Sequence, residues 1–430
     1  MSKYISISFS IAILLVFVYT LFNDSLNLPS FDDYDATLSF IKNFYFNNLS
    51  GAEKFQSLFS RHNEHRILFS RAIAASYFGL FHEINFAHLV IIQNIFLVSF
   101  FGVILFLFKD EKQLTPTVFL LITAFLFSFS IWQVSFYYWA GIQHFVVFLF
   151  SFSSLILLNK TDKTVSQTFV LAVLFAFLGV FSFGNGFLVL FLGVFLLFAQ
   201  KKYSVLPAWM IASFLLLFFT FFVQKPGQSE GHGPFNIEWM ARLLFTFLGS
   251  FLYINPPSGQ YLNIVICMLI GVAIFAYWLW LFFSGYAFRK SLLFSLFSLP
   301  VLTGIIISIS RFETRAAGGI APRYMFFTAT IPVMLILILM DRKTIKKEAL
   351  TLLTILVLLL WCVIFYNNST ALRASNQEIT ANVEKWKTDN GTRLVYYQEP
   401  ENYSGILRWA INHRVVNNRI YNRTAQSTVE

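Results

Sequence analysis

Apolar runs, mostly of about 16 to 24 residues, recur along this chain, and a run of that length satisfies its backbone polar groups inside a bilayer only as a helix. They lie at 4–22, 86–108, 117–133, 139–158, 168–183, 187–198, 206–223, 262–283, 292–309, 325–340 and 350–366. Run 187–198 is short for a crossing, but the basic turns on either side of it require one. A weaker run, 240–254, is expected to lie in the interface or to dip in and return, which gives eleven helices. If it crosses, the count is twelve and the parity of the basic turns breaks. The first run lacks a small-residue cleavage site before Asn23, so it reads as a retained anchor rather than a signal peptide. The fold class expected is an all-α polytopic membrane protein.

Positive charge then orients the bundle. Lys109 and Lys112, Lys160 and Lys163, Lys201 and Lys202, Arg289 and Lys290, and Arg342, Lys343, Lys346 and Lys347 occupy short turns between the runs, and short turns rich in lysine and arginine face the cytoplasm. The N-terminus is then cytoplasmic, and loop 23–85, loop 224–261, loop 311–323 and the tail from 367 onward face outside. The chain is 57% hydrophobic and 12% charged, against about 25% charged for a soluble domain. Its formal charge of +10 belongs to this orientation and not to nucleic-acid binding, which needs an aromatic and basic surface. The 55 phenylalanines fill lipid-facing helices. Cys267 and Cys362 both fall inside apolar runs and form neither a disulfide framework nor a metal spacing.

Two regions stand apart from the runs. In loop 23–85, segments 36–47 and 67–80 place apolar residues at helical spacing with polar ones between, as in helices lying in the interface plane. The tail reads as a polar helix at 371–387, a short strand at 393–397 and a second amphipathic helix at 403–412. The division expected is a membrane domain at 1–366 and a small outer segment at 367–430, packed on the outer face because about 60 residues make only a marginal domain alone.

Polar residues at the membrane rim are the candidates for function, because a charge near the bilayer midplane costs roughly 2 to 4 kcal/mol. Phe31-Asp32-Asp33-Tyr34-Asp35 places three carboxylates just after the first run. A carboxylate there can act as general base on a sugar hydroxyl, or Asp32 and Asp33 can hold a divalent cation such as Mg or Mn against a pyrophosphate. Asp35 reads rather as the cap of the helix at 36–47, and for Asp32 and Asp33 capping stands beside catalysis. His62-Asn63-Glu64-His65-Arg66 presents two imidazoles, a carboxylate and a guanidinium to one ligand. Its spacing is not that of a zinc protease and it lacks a third metal ligand; substrate or phosphate binding by His65 and Arg66, with Glu64 positioning a hydroxyl, fits better.

Gln133, Trp139, Gly141 and Gln143 surround the outer ends of two runs, and Ser182, Gly184, Asn185 and Gly186 form an outer hairpin. Amides and an indole N–H suit a sugar, and they also serve as interhelical glue. Arg311, Arg315, Arg323 and the adjoining Tyr324 lie on the outer side against the positive-inside bias. Glu313 neutralises one of the three arginines, and a lipid phosphate or pyrophosphate is the natural partner of the others.

Taken together, Asp32-Asp33, His62-Asn-Glu-His-Arg66, Gln133 with Trp139-Ala-Gly-Ile-Gln143, Ser182-Phe-Gly-Asn-Gly186, and Arg311 with Arg323-Tyr324 resemble the GT-C superfamily of polyprenyl-phosphate-sugar-dependent glycosyltransferases, and more closely a bacterial group of membrane glycosyltransferases. The resemblance extends to about Met340. Segment 134–138 lacks an acidic-Asn pair before the tryptophan, and Pro322 stands where a serine usually precedes Arg-Tyr. The resemblance implies a protein of the bacterial inner membrane that takes a polyprenyl-phosphate-linked sugar donor and a glycan or lipid-linked acceptor, among membrane lipids. It implies Asp33 as the base, with Asp32 next. Arg323 and Arg311 would hold the phosphate, Glu64, His62, His65 and Arg66 would place the substrates, and Gln143 and Asn185 would line the sugar pocket. Two alternatives are a repeat-unit polymerase for O-antigen or capsule, whose large outer loop would come late in the chain, and a lipid-linked-sugar flippase, which would carry charges and broken helices at midplane depth in repeated halves.

Overall fold

The computed structural model describes residues 3–62, 65–222, 235–313, 321–389, 394 and 400–416. The helices are α1 (Lys3–Asp24), α2 (Gly51–Phe59), α3 (Leu68–Phe81), α4 (Phe86–Asp110), α5 (Pro116–Leu126), α6 (Trp132–Ser135), α7 (Tyr138–Asn159), α8 (Gln167–Val180), α9 (Leu188–Ala199), α10 (Leu206–Phe222), α11 (Ile237–Gly249), α12 (Gln260–Phe283), α13 (Tyr286–Arg289), α14 (Ser291–Arg311), α15 (Met325–Asp341), α16 (Lys347–Thr388) and α17 (Pro400–Asn412). Wide π-type turns occupy Asp33–Ser39 and Lys42–Phe46, and β1 (Arg61–His62) pairs antiparallel with β2 (His65–Arg66). Among the described residues, eight helical segments are long and apolar enough to cross a membrane, and each coincides with an expected run. The expected crossings at 168–183, 187–198 and 206–223 form shorter apolar helices, Gln167–Val180, Gly184–Ala199 and Leu206–Phe221. The protein is therefore an all-α polytopic membrane protein.

Local chemistry starts these helices where they start. Side chains of Asn85, Thr115 and Ser166 accept from the backbone N–H three residues on, capping α4, α5 and α8, and Ser50 with Glu53 forms a reciprocal capping box at α2. Run 117–133 does not stay one straight helix. It breaks after Leu126, resumes as α6 and breaks again before α7, and the carbonyls at this second break need donors because the surroundings offer no water. Two amides on α4 supply them: Gln93 Nε2 donates to the carbonyls of Val134 (3.0 Å) and Tyr137 (3.1 Å), and Asn94 Nδ2 to that of Ser135 (2.8 Å).

The basic turns gather at one end of the bundle. Lys290 pairs with Glu111 and Asp341 at 3.3 and 2.8 Å, Lys160 with Asp110, and Lys202 with Asp162. Gln200 Nε2 donates to the hydroxyl of Ser291 at 3.2 Å. The turn before α10 and the turn before α14 thus share an end. Loop 23–85 lies at the other. There α11 leaves and returns to the same end, since Phe235 stacks edge-on against Phe312 just beyond α14 and the carbonyl of Ile254 accepts from Asn367 on the distal half of α16. At 13 residues α11 is about 20 Å long, short of a hydrocarbon core of about 30 Å. It packs backbone to backbone on α12, where a side chain at Gly249 or Gly271 would collide with the carbonyls of Cys267 and Phe245.

The expected tail helix at 371–387 is continuous with the last run. α16 extends 42 residues, about 63 Å, so its polar half projects beyond the bilayer core. Asn376 on that half donates to the carbonyl of Asp24 at 2.7 Å and accepts from the Tyr137 hydroxyl at 2.8 Å. α17 then packs on the Asp33–Ser39 turn: Tyr403 stacks on Tyr34 with centroids 5.1 Å apart, and Lys42 sits over Trp409. Segment 403–412 is helical as expected; the strand expected at 393–397 lies outside the described residues save Leu394.

Candidate functional site

The site is built on the turn that follows α1. Phe31 adopts φ +49°, a left-handed conformation that costs a residue with a side chain roughly 1 to 2 kcal/mol, and its ring packs on Trp139 at 4.6 Å between centroids. The strained residue aims the next two carboxylates in different directions. Asp33 turns inward and is 1% exposed; its Oδ2 accepts from the backbone N–H of Ser30 at 3.1 Å, and its Oδ1 from the Thr37 hydroxyl at 3.4 Å. Burial pushes the Asp33 carboxyl well above the usual carboxylate range, against the pull of the Ser30 N–H, and the neighbouring Asp32 charge adds to the rise. Asp32 is only partly buried. Burial raises its carboxyl as well, while the guanidinium groups of Arg323 and Arg311 hold it down.

Three parts of the sequence thereby lie within electrostatic reach of one another: the Asp32-Asp33 turn, the C-terminus of α14 and the short helix Pro322–Tyr324. α7 meets the same turn. On its first two turns Trp139 and Gln143 lie one above the other, both buried, with Gln143 Nε2 donating to the Trp139 carbonyl at 3.0 Å. Next along is His144, whose ring lies against Phe183, Phe327 and Tyr324, and Arg323 sits over the Tyr324 ring. Asn185, in the turn Gly184–Phe187, is buried and donates to Thr303 of α14 at 2.9 Å. That turn needs the second of its glycines: a Cβ on Gly186 would collide with the Gly179 carbonyl oxygen.

The His62 to Arg66 segment is a small hairpin with a different set of contacts. Arg66 is buried, donates from Nη1 to the Phe59 carbonyl and from Nη2 to those of Thr220 and Phe219, and lies over the rings of Phe181 and Phe219. Arg61 donates to the same Thr220 carbonyl. Two guanidinium groups thus close the C-terminal end of α10, where cations are favoured. Burial lowers Arg66 to about 10, helped by the Arg61 charge. His62 is lowered to about 4 by burial and by Arg71, against the pull of Asp35. Arg71, buried beneath Phe40, donates to the Ser57 carbonyl and ties α3 to α2. Glu64 and Arg315 lie outside the described residues, as does the side chain of His65.

The carboxylates suit a divalent cation poorly. Mg and Mn take a shell of about six oxygens, whereas both Asp33 oxygens are engaged by Ser30 and Thr37 and Asp32 faces two positive side chains. Among the described residues no three His, Cys, Asp or Glu side chains come together as a metal set. The cluster suits an anion beside a hydroxyl instead: two guanidinium groups for the anion, and a carboxylate within their field for the proton. Gln93, Asn94, Arg71 and His144 escaped the reading of the sequence. An amide pair in the middle of an apolar run was the available signal for the first two; the others carried none. Comparison of the chain with protein-family models, with curated proteins and with solved structures finds no match in any of the three.

Proposed function

We propose that the protein is a membrane glycosyltransferase of GT-C-like fold with eleven crossings. It would sit in a bacterial inner membrane with its N-terminus cytoplasmic and the Asp32-Asp33 turn and tail outside, and move a sugar from a polyprenyl-phosphate carrier to a surface glycan or lipid-linked acceptor. The observation that carries this is that the positive charges of Arg311 and Arg323 act on the Asp32 carboxyl, although they lie far from it in the sequence. Arg311 and Arg323 hold the donor phosphate, which lies at headgroup depth while the polyprenyl tail stays in lipid. The acceptor hydroxyl gives its proton to a carboxylate as its oxygen attacks the anomeric carbon. The bond from that carbon to the phosphate oxygen breaks, and its electron pair leaves with the phosphate, whose added charge the two arginines stabilise. Attack opposite the leaving group inverts the anomeric centre.

Asp32 is the better placed base. It is open to a ligand and close to the arginines, whereas Asp33 is enclosed and its oxygens are held by Ser30 and Thr37. Asp33 shapes the turn that presents its neighbour. The test is transfer from radiolabelled polyprenyl-phosphate sugars by purified protein in nanodiscs, with envelope glycans as acceptors. Asp32→Asn should lower turnover by about 10²- to 10⁴-fold, and Arg323→Ala by about 10²- to 10³-fold, with folding intact. Transfer that survives Asp32→Asn but not Asp33→Asn returns the role of base to Asp33. Wild-type protein that moves labelled lipid across the bilayer without transfer refutes the enzyme reading.

A further inference from the structure

Among the buried polar atoms around the α7 end of this site that have no hydrogen-bond partner among the described residues are four that sit beside one another's segments: Trp132 Nε1, Trp139 Nε1, Gln143 Oε1 and Asn185 Oδ1. Their residues are 4 to 9% exposed. Leaving such an atom unmet in a dry interior costs roughly 1 to 3 kcal/mol, and native interiors meet nearly all of them. These four occur in segments that pack on one another and on the Asp32 turn: α6 against α7 and against Pro322–Tyr324, the Gly184–Phe187 turn against α7, and Trp139 against Phe31. Trp139 and Gln143, four residues apart, share a helix face. The set is two N–H donors and two amide oxygens, and none is charged.

We infer that these atoms bind the sugar of the donor and select an uncharged, polyhydroxylated one, a neutral hexose in place of a uronic acid or an amino sugar. Hydroxyls both donate and accept, so a neutral polyol satisfies indole N–H groups and amide oxygens together. Neither a uronate nor an ammonium finds an oppositely charged partner among these four atoms, and either would lose its water on entering. The inference rests on the proposed phosphate site, because the sugar is located by its bond to the phosphate held at Arg311 and Arg323.

The experiment is equilibrium binding in nanodiscs of three short-chain lipids: a bare polyprenyl phosphate, its neutral-hexose derivative and its uronosyl derivative. Wild type should bind the hexosyl lipid at least tenfold more tightly than either of the others. Trp139→Phe, which removes the N–H and keeps the ring, and Gln143→Met should each reduce that preference several-fold and leave the affinity for bare polyprenyl phosphate unchanged. Thermal melting of each variant, unchanged in the absence of lipid, separates loss of recognition from loss of fold. Equal binding of hexosyl and bare lipid, a preference for the uronosyl lipid, or an undiminished preference in both variants overturns the inference and assigns the four atoms to internal water. Failure of wild type to bind any of the three lipids, with Arg323→Ala indistinguishable from it, sinks the phosphate site itself.

Discussion

Adjacent aspartates with opposite surroundings are the central feature at the scale of single residues. Asp33 is enclosed and its carboxyl is raised, so its neutral form is the one the fold prefers. A raised folded value means that the stabilising contribution is full below the ordinary carboxylate range and is lost as pH rises from that range through the folded value, so this carboxyl weakens the protein at neutral pH relative to a neutral isostere. Asp33→Asn keeps an acceptor for the Ser30 N–H and removes the charge. Its melting temperature at pH 7 should exceed wild type by roughly 2 to 4 °C for each kcal/mol regained, and the gap should close as pH falls toward about 4. A lower melting temperature at pH 7 would show that the charge is held favourably. The carboxylate pair itself was legible in the sequence, because two adjacent acids at a bilayer edge require a reason. The division of labour between them was not, since it depends on the left-handed Phe31 and on arginines distant in the chain.

At the scale of elements, the hairpin β1–β2 joins the loop to the bundle through Arg66. A guanidinium that meets the carbonyls of Phe59, Phe219 and Thr220 fastens the end of α10, and hydrogen bonds to a charged group contribute about 1.5 to 3 kcal/mol each. Arg66→Met should therefore lower the melting temperature substantially while the surviving folded protein keeps its KM for the donor; a KM raised tenfold at wild-type stability would instead make Arg66 a substrate ligand. The helix that the sequence announced best is one with both a cap and a long apolar run, α4 behind Asn85. The interruption between α5 and α6 was hidden, because residues 127–131 contain neither proline nor glycine. At the α6–α7 turn that follows, the carbonyls of Val134, Ser135 and Tyr137 are met by Gln93 and Asn94 of another helix.

For the whole molecule, the linked ion pairs at Lys290, Lys160 and Lys202 put the basic turns at one end, and α17 with the distal half of α16 covers the loop at the other. Lys163 and Glu401 belong to these opposite ends. In a background lacking Cys267 and Cys362, Lys163→Cys and Glu401→Cys should react with a membrane-impermeant maleimide from opposite sides, Glu401→Cys in intact cells and Lys163→Cys only after permeabilisation. Labelling of both from one side would dismantle the orientation. α17 also touches the Asp32-Asp33 turn through Tyr403 on Tyr34, one residue from Asp33, so α17 is part of the wall of the candidate site. Its helices were readable from apolar spacing; their docking was not, because that spacing says which face is buried without saying against what.

What this sequence determines by itself is the solvent it requires and the end on which its basic turns collect. Backbone polar groups in long apolar runs have no solution but a helix, and lysines cluster where crossing is costly, so run length and charge carry that information locally. Only the tertiary structure decides which rim residues meet. Asp32 comes within the field of Arg311 and Arg323, Arg66 turns instead to the end of α10, and Trp139, Gln143 and Asn185 are drawn beside the turn, because each outcome depends on a backbone bend or a helix contact between segments far apart in the chain.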